Sequence, residues 1–419
     1  MSVTAGRRVA WAADVIALFA TLVTIYLLSQ FLRNSIGVIA PDIAAELNIP
    51  AHDIGVLSSA FFFAFAAVQL PLGVAIDRFG AKRCMLVCCA IMVAGTLLFA
   101  AGRTSSGLVV ARIVMGVGTS CYLMAPLALY ARRFAAERFA MLAGLHMAIG
   151  TFGALLATAP FAYAVAAIGW RAAFVASAAI VAVSGLMIAI VIREPRAVAV
   201  ERRETLRENI LGLRAAMRVP SVGRLFLMQT ATYSCFGIFA GLWGGSYLTD
   251  GYGYGLTERG SLLLVTAIAQ IIGLTLYGWA DRVFGSYRVP VMIGAGLTAA
   301  LFIVLAVTGT LPRGALLVWL AAFGALSGFT PVVIAHGKSL FLPELTGRGM
   351  TLLNMGSMGG VFFTQAVSGY AIELFGAGDG GAHPVDAYRL VFALQAAFVI
   401  AAVAVYATAR DPLRESSKG

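Results

Sequence analysis

Charge is what this sequence has least of. Asp, Glu, Lys and Arg make up 12% of its 419 residues, and only 19 of those are acidic. A soluble domain keeps about a quarter of its residues charged, so a water-soluble globular fold is excluded. Disorder is excluded too, because it needs low hydrophobicity. Histidine is also scarce: His52, His146, His336 and His383 show no metal-ligand spacing, and they form no Ser, His and carboxylate set. No catalytic residue, metal or cofactor is therefore expected, and the chain is not read as an enzyme. The five cysteines (Cys84, Cys88, Cys89, Cys121 and Cys235) are odd in number and sit in apolar stretches, as reduced, small apolar side chains do. The glycine-rich segment 249–256 has no preceding strand and no Lys, so it is not a phosphate loop.

What is present is apolar. Hydrophobic residues make up 60% and the mean hydropathy is +0.90, more apolar surface than a soluble core of this size hides, which points to the lipid bilayer. Crossing about 30 Å of hydrocarbon takes about 20 helical residues. Apolar runs of that order fall near 12–40, 53–76, 84–102, 107–131, 139–165, 172–192, 222–248, 260–280, 289–310, 314–340, 349–375 and 387–409. The runs are unbroken by two-residue alternation, so the expected fold class is an all-α membrane protein with twelve transmembrane helices rather than a barrel. The first run is too long for a signal peptide and lacks a small-residue cleavage site.

The net charge of +11 would suit nucleic acid only if its cations shared one soluble face. Instead, Arg78, Lys82, Arg83, Arg132, Arg133, Arg138, Arg282, Arg288 and Arg348 fall on one side if the spans alternate, whereas Arg103, Arg171, Arg259, Arg313 and Arg389 fall on the other. This positive-inside bias predicts a multi-pass protein of the cytoplasmic (inner) membrane with both termini cytoplasmic and no nucleic-acid partner.

The chain also repeats itself. Gly73-Val-Ala-Ile-Asp77-Arg78-Phe-Gly80-Ala-Lys82-Arg83 recurs in altered form as Gly278-Trp-Ala-Asp281-Arg282-Val-Phe-Gly285-Ser-Tyr-Arg288, and Trp170-Arg171-Ala-Ala-Phe174 is answered by Tyr388-Arg389-Leu-Val-Phe392. Two related halves are expected, 1–192 and 221–419, joined by a cytoplasmic amphipathic connector, 193–220.

The first of these segments, between the second and third spans, resembles the loop signature of the major facilitator superfamily. The resemblance covers essentially the whole chain and implies two pseudo-symmetric six-helix bundles around a central cavity, alternating access and no covalent chemistry. It carries the role of a conformational latch to Gly73, Asp77, Arg78, Gly80 and Arg83, and to Asp281 and Arg282 in the degraded second copy. Gly80 is expected to close a tight turn and Asp77 to face a neighbouring helix N-terminus.

Two arginines lie where lipid should exclude them. An arginine at the bilayer centre costs about 2.5–3.5 kcal/mol on insertion scales, so Arg33 in span one must meet a wet cavity or a partner. Tyr26, Gln30, Arg33 and Gly37 share one helical face, and Arg112 in span four shares a stripe with Tyr122. Two guanidinium groups in one bundle point to an anionic substrate, since Arg pairs with carboxylate or phosphate at two points. Competing structural readings have Arg112 tying helices together and Arg33 pairing with Asp42. The segment from Arg33 to Gly73 resembles the anion:cation symporter branch and, more distantly, the organophosphate:phosphate antiporters. It departs from the symporters at Leu32 and Thr119, where they carry an Asp and a Glu.

With those proton carriers missing, His146 in span five becomes a candidate for anion binding or proton transfer, set against the alternative of a buried, hydrogen-bonded ring. Tyr233, Trp243, Gln270 and Asn354, together with Gln229, His336, Lys338 and Gln365, are the second-half candidates for the cavity wall. The expected function is secondary transport of a small organic anion, a carboxylate by preference, by a monomer using a coupling proton or counter-anion. One alternative is proton-coupled efflux of hydrophobic drugs, weakened because Ala159-Pro160-Phe-Ala-Tyr163-Ala replaces the exporters' Gly-Pro-x-x-Gly-Gly. The other is a transport-dead ligand sensor. A fluorescent protein fused after Gly419 is expected to fold and fluoresce, and alkaline phosphatase at the same point to be inactive; the reverse pattern would invert the topology.

Overall fold

In hydrocarbon the backbone has no water to bond to, and long helices are the answer where the apolar runs permit them. The computed structural model describes residues 2–192, 206–376, 378 and 382–416, and its regular elements are helical. The first half holds α1 (Ser2–Asn34), α2 (Ile36–Leu47), α3 (Ala51–Phe79), α4 (Ala81–Ala101), α5 (Ser105–Thr119), α6 (Met124–Arg133), α7 (Ala136–Leu156) and α8 (Ala159–Val191). Of the expected connector, 193–205 lies outside the described residues, and α9 (Leu206–Met217) follows it. The second half holds α10 (Val222–Ile238), a π-helical turn (Phe239–Trp243), α11 (Gly244–Tyr252), α12 (Leu256–Tyr277), α13 (Ala280–Phe284), α14 (Arg288–Thr308), α15 (Arg313–Leu326), α16 (Thr330–Leu340), α17 (Pro343–Glu373), α18 (Val385–Tyr406) and α19 (Pro412–Ser416). Among the described residues, ten helical stretches are long and apolar enough to cross a membrane. The shorter apolar stretch Met141–Leu156 in α7, and α17, stand where the fifth and eleventh spans are expected.

Several expected spans are broken, and local chemistry explains each break. Span one stops at Asn34 and restarts at Ile36; there Asn34 Nδ2 donates to the Gln30 carbonyl and Ser35 Oγ to that of Leu32, competing with the helix ladder. Span four breaks between Thr119 and Met124, just ahead of Pro126. Span seven opens into the π turn. Span ten breaks at Ser327–Phe329, before Pro331. Span five differs most from expectation: α7 ends at Leu156, and Pro160, which lacks an N–H, begins a new helix that runs on to Val191 through a turn at Gly169 (φ 78°).

The two halves meet closely at the end opposite the basic loops. There α3 packs on α17, α8 on α12, and α2 on the π turn and α11. Glycine sets these approaches: a Cβ on Gly37 would strike the backbone of Ala240, and one on Gly245 the carbonyl of Gly37. Arg259, 3% exposed, pairs across the halves with Asp42 and donates through Nε to the Val38 carbonyl at 2.8 Å. His52 adds a weaker link, 3.6 Å from Glu373.

At the basic end lie the residues expected to form the latch. Gly80 (φ 89°) does close a tight turn after α3, but Asp77 pairs with Arg132 of α6 in its own half, 3.5 Å away. Gly73 lies within α3 with open space where a Cβ would be. Arg78 lies over the Phe79 ring at 5.4 Å, and Arg83 is exposed. In the second copy, Asp281 and Arg282 sit on α13, and Gly285 (φ 54°) ends it.

The strongest fixed point at this end is Asp411. Its carboxylate accepts from Ser286 Oγ (2.6 Å) and from the backbone N–H of Arg288 (3.2 Å) and Tyr287 (3.4 Å). Burial pushes this carboxyl up, but these hydrogen bonds outweigh it and hold Asp411 below the ordinary carboxylate range. The stabilisation is therefore present above about pH 4 and is lost as pH falls through the lowered folded-state value. Asp411→Asn should destabilise the protein at neutral pH by about 1–3 kcal/mol and remove part of the acid-dependent loss seen in melting curves of the wild type between pH 6 and 3. Superimposable pH–melting profiles would refute this.

Candidate functional site

Every break in a membrane helix frees carbonyls that must find donors, and most of the buried polar side chains do that work. The last four carbonyls of α1 have no partner within their helix. Arg112 reaches two of them, donating through one terminal nitrogen to Leu32 O at 3.0 Å and through the other to Arg33 O at 3.5 Å, while its guanidinium lies 4.4 Å from the centre of the Phe61 ring. Pro126 has no N–H to offer the carbonyl four residues back, that of Tyr122. His146 Nε2 takes that place at 3.1 Å, and its Nδ1 meets Tyr130 Oη at 3.3 Å. Its ring stacks on Tyr26 with centroids 4.7 Å apart. Gly150 and Gly153 make room for this: a Cβ on Gly150 would enter the Tyr26 ring, and one on Gly153 would strike the Leu27 carbonyl.

These contacts give three of the expected residues a structural role. Arg112, His146 and Tyr122, whose hydroxyl donates to Met85 O at 3.1 Å, each hold helices together, while Arg112 Nε has no acceptor among the described residues. Trp243 is likewise engaged, through Nε1 to Ser368 Oγ at 2.7 Å. In the second half His336 repeats the first-half pattern: Nδ1 meets Tyr406 Oη at 2.8 Å, Nε2 meets Arg410 O at 2.7 Å, and the ring stacks on Tyr287. Asn354 lies half-buried on α17.

Arg33 is different. It is 7% exposed, its guanidinium rests over the Phe65 ring at 4.5 Å, and among the described residues it forms no hydrogen bond or ion pair. Asp42, the expected internal partner, is taken by Arg259. On either side of Arg33 along the chain, Gln30 and Asn34 line a cavity of about 100 Å³ between the halves. Tyr233, Phe236 and Gln270 form its opposite wall, with Thr151 at the side. Tyr26 lies within electrostatic reach of both Arg33 and Tyr233. Of the expected set, Gln30, Tyr233 and Gln270 line this cavity, and Arg33 and Tyr26 lie on the helix that carries Gln30. Sequence reasoning did not single out Thr151, the aromatic shelf of Phe65 or the Arg259–Asp42 pair. The external position of Arg259 hid the last, since it read there as a loop charge.

The fold agrees with the comparisons to known proteins. The family model described as Major Facilitator Superfamily matches residues 22–255. A curated relative in Cupriavidus necator, named "Probable sulfoacetate transporter SauU", is 26% identical over 373 residues, covering 84% of this chain and 86% of its own. Among solved structures, the nucleoside transporter NupG superimposes with a TM-score of 0.75 at 15% identity, covering 93% of this chain and 99% of its own. A D-xylose-proton symporter gives 0.73 at 14% identity over 92% and 97%. A bacterial homolog of the human lysosomal transporter Spinster, inward-facing and occupied, gives 0.72 at 18% over 93% and 95%. These structural likenesses show a shared fold, and the family match spans more than half of the sequence. The chain belongs to the major facilitator superfamily, as a multi-pass membrane transporter and not an enzyme.

Proposed function

We propose that this protein carries a small organic anion across the cytoplasmic membrane by alternating access, with Arg33 as the charge partner of the solute. The observation that carries this reading is the Arg33 guanidinium, buried over the Phe65 ring and with no acceptor among the described residues. An uncompensated buried charge is costly, and a carboxylate, sulfonate or phosphate binding it at two points offsets that cost. Tyr26, Gln30 and Tyr233 stand beside it as neutral hydrogen-bonding groups, and the narrow cavity favours a solute of few atoms. The name of the Cupriavidus necator relative also points to an organic anion. In this scheme the basic end faces the cytoplasm, the latch loops act there, and the closed end with Arg259–Asp42 faces outward.

His146 is a structural residue in this scheme, because its ring nitrogens are engaged with Tyr122 O and Tyr130 Oη. His146→Gln, which can still donate to Tyr122 O, should keep both transport and its pH profile, whereas His146→Leu should lower the melting temperature. A flattened pH profile in His146→Gln would return the residue to coupling. The central test uses proteoliposomes and a panel of small acids selected by thermal shift. Arg33→Met should abolish uptake of every acid the wild type carries, and it should melt no lower than wild type, since an unpaired buried charge has been removed. Uptake surviving in Arg33→Met would refute the assignment.

A further inference from the structure

Between the two bundles, α9 touches both: it packs on α17 of the second half and on α3 of the first. Its packed side is the row Glu208, Gly212 and Ala216, spaced four apart along the helix. Glu208 is half-buried, and Gly212 and Ala216 are buried. A Cβ on Gly212 would enter the side chain of Arg348, which sets α9 against the start of α17, at the basic end.

The opposite side of α9 is open. Arg207, Ile210, Leu211, Arg214, Met217 and Arg218 follow the spacing i, i+3, i+4, i+7, i+10 and i+11, which is one face of a helix. Arg218 continues that face beyond Met217, since its N–H donates back to the Ala215 carbonyl at 3.1 Å. Ile210 is 50% exposed, Leu211 52% and Met217 38%. The arginines between them are exposed as well and form no ion pair among the described residues. Glu208, the acidic residue of α9, lies on the packed side. Apolar side chains are therefore interleaved with uncompensated cations. Bulk water suits the cations and leaves the apolar groups unburied, hydrocarbon does the reverse, and a headgroup layer takes both. The neighbouring surface agrees: Phe79 at the end of α3 and Leu342 just before α17 are 53% and 66% exposed, so apolar surface extends to the basic ends of both helices that hold α9. A second copy of the chain fits this face poorly, because a two-fold contact would set arginine against arginine.

We infer that the open face of α9 docks on anionic phospholipid headgroups at the basic end of the protein. Ile210, Leu211 and Met217 enter the boundary between headgroups and acyl chains, and Arg207, Arg214 and Arg218 pair with phosphate. Each arginine near an anionic surface strengthens such docking by about fivefold, an effect confined to a Debye length and weakened by salt. Since α9 holds one helix from each half, the seam itself is tied to the leaflet.

The test places a polarity-sensitive dye on this face. The native cysteines are buried, so Leu211→Cys supplies one reactive thiol in the full-length protein, and wild type taken through the same labelling gives the background. The labelled protein is held in nanodiscs of phosphatidylcholine alone or of phosphatidylcholine mixed with phosphatidylglycerol, each carrying a nitroxide-labelled phosphatidylcholine as quencher. The expected result is blue-shifted, nitroxide-quenched emission in the anionic discs, with a docking equilibrium at least about fivefold weaker in the neutral ones. Arg207→Gln, Arg214→Gln and Arg218→Gln, all at exposed positions, should each weaken docking in the anionic discs by about fivefold, and raised salt should do the same to the parent protein. Equal quenching in neutral and anionic discs would overturn the inference, as would a dye that stays in water in both. A signal that changes with the number of protein copies per disc would overturn it in favour of a contact between copies.

Discussion

The structure depends on one constraint: a carbonyl released from its helix inside the bilayer has to be met by a donor from elsewhere in the protein. Helix breaks are the price of a cavity, and the breaks in spans one, four, seven and ten release carbonyls near the centre of the molecule. Arg112 answers the end of α1, His146 answers the gap left by Pro126, and Gln365 answers Gly237 beside the π turn. Each of these residues would pass for a ligand-binding group if judged by type and depth alone. Matching donors against freed carbonyls separates the groups that maintain the scaffold from those left over for a solute.

Much of the architecture was legible in the sequence because it follows from quantities a sequence carries directly. Run length gives the long apolar helices, and the loop segment around Asp77-Arg78 gives the family. The cavity was legible only in part. Tyr26, Gln30 and Arg33 share a helical face, so their proximity could be read from spacing, and Tyr233 and Gln270 followed from their polarity within apolar runs. What spacing could not show was who satisfies whom. The link between Pro126 and His146 crosses from one helix to another, and nothing in the local pattern of either residue shows it. Likewise Asp42 lies nine residues from Arg33 and more than two hundred from Arg259, yet packing at the closed end unites it with Arg259.

The two halves solve the same problem with similar means. His146 stacked on Tyr26 and bonded to Tyr130 has a counterpart in His336, stacked on Tyr287 and bonded to Tyr406. In both cases an imidazole joins a tyrosine hydroxyl to a backbone carbonyl, so the ring acts as a two-ended brace. The braces sit at different depths: the first supports the helix that carries Arg33, and the second anchors the chain beyond α18, next to Asp411. The shared device thus braces α1 in one half and the terminal segment in the other.

The seal opposite the basic loops is made largely of backbone against backbone, with glycines at Gly37, Gly245, Gly55 and Gly369. Such a joint has few long side chains to re-order, so parting it costs little rotamer entropy and leaves few orphaned polar groups beyond the Arg259–Asp42 pair. Its tolerance is correspondingly one-sided. A single methyl added at Gly37 acts as a wedge, biasing the resting population toward the outward-open form without touching the solute, whereas no substitution there can tighten the fit. The balance between the carrier's two faces is therefore set by the absence of side chains, and evolution can readily move it in only one direction.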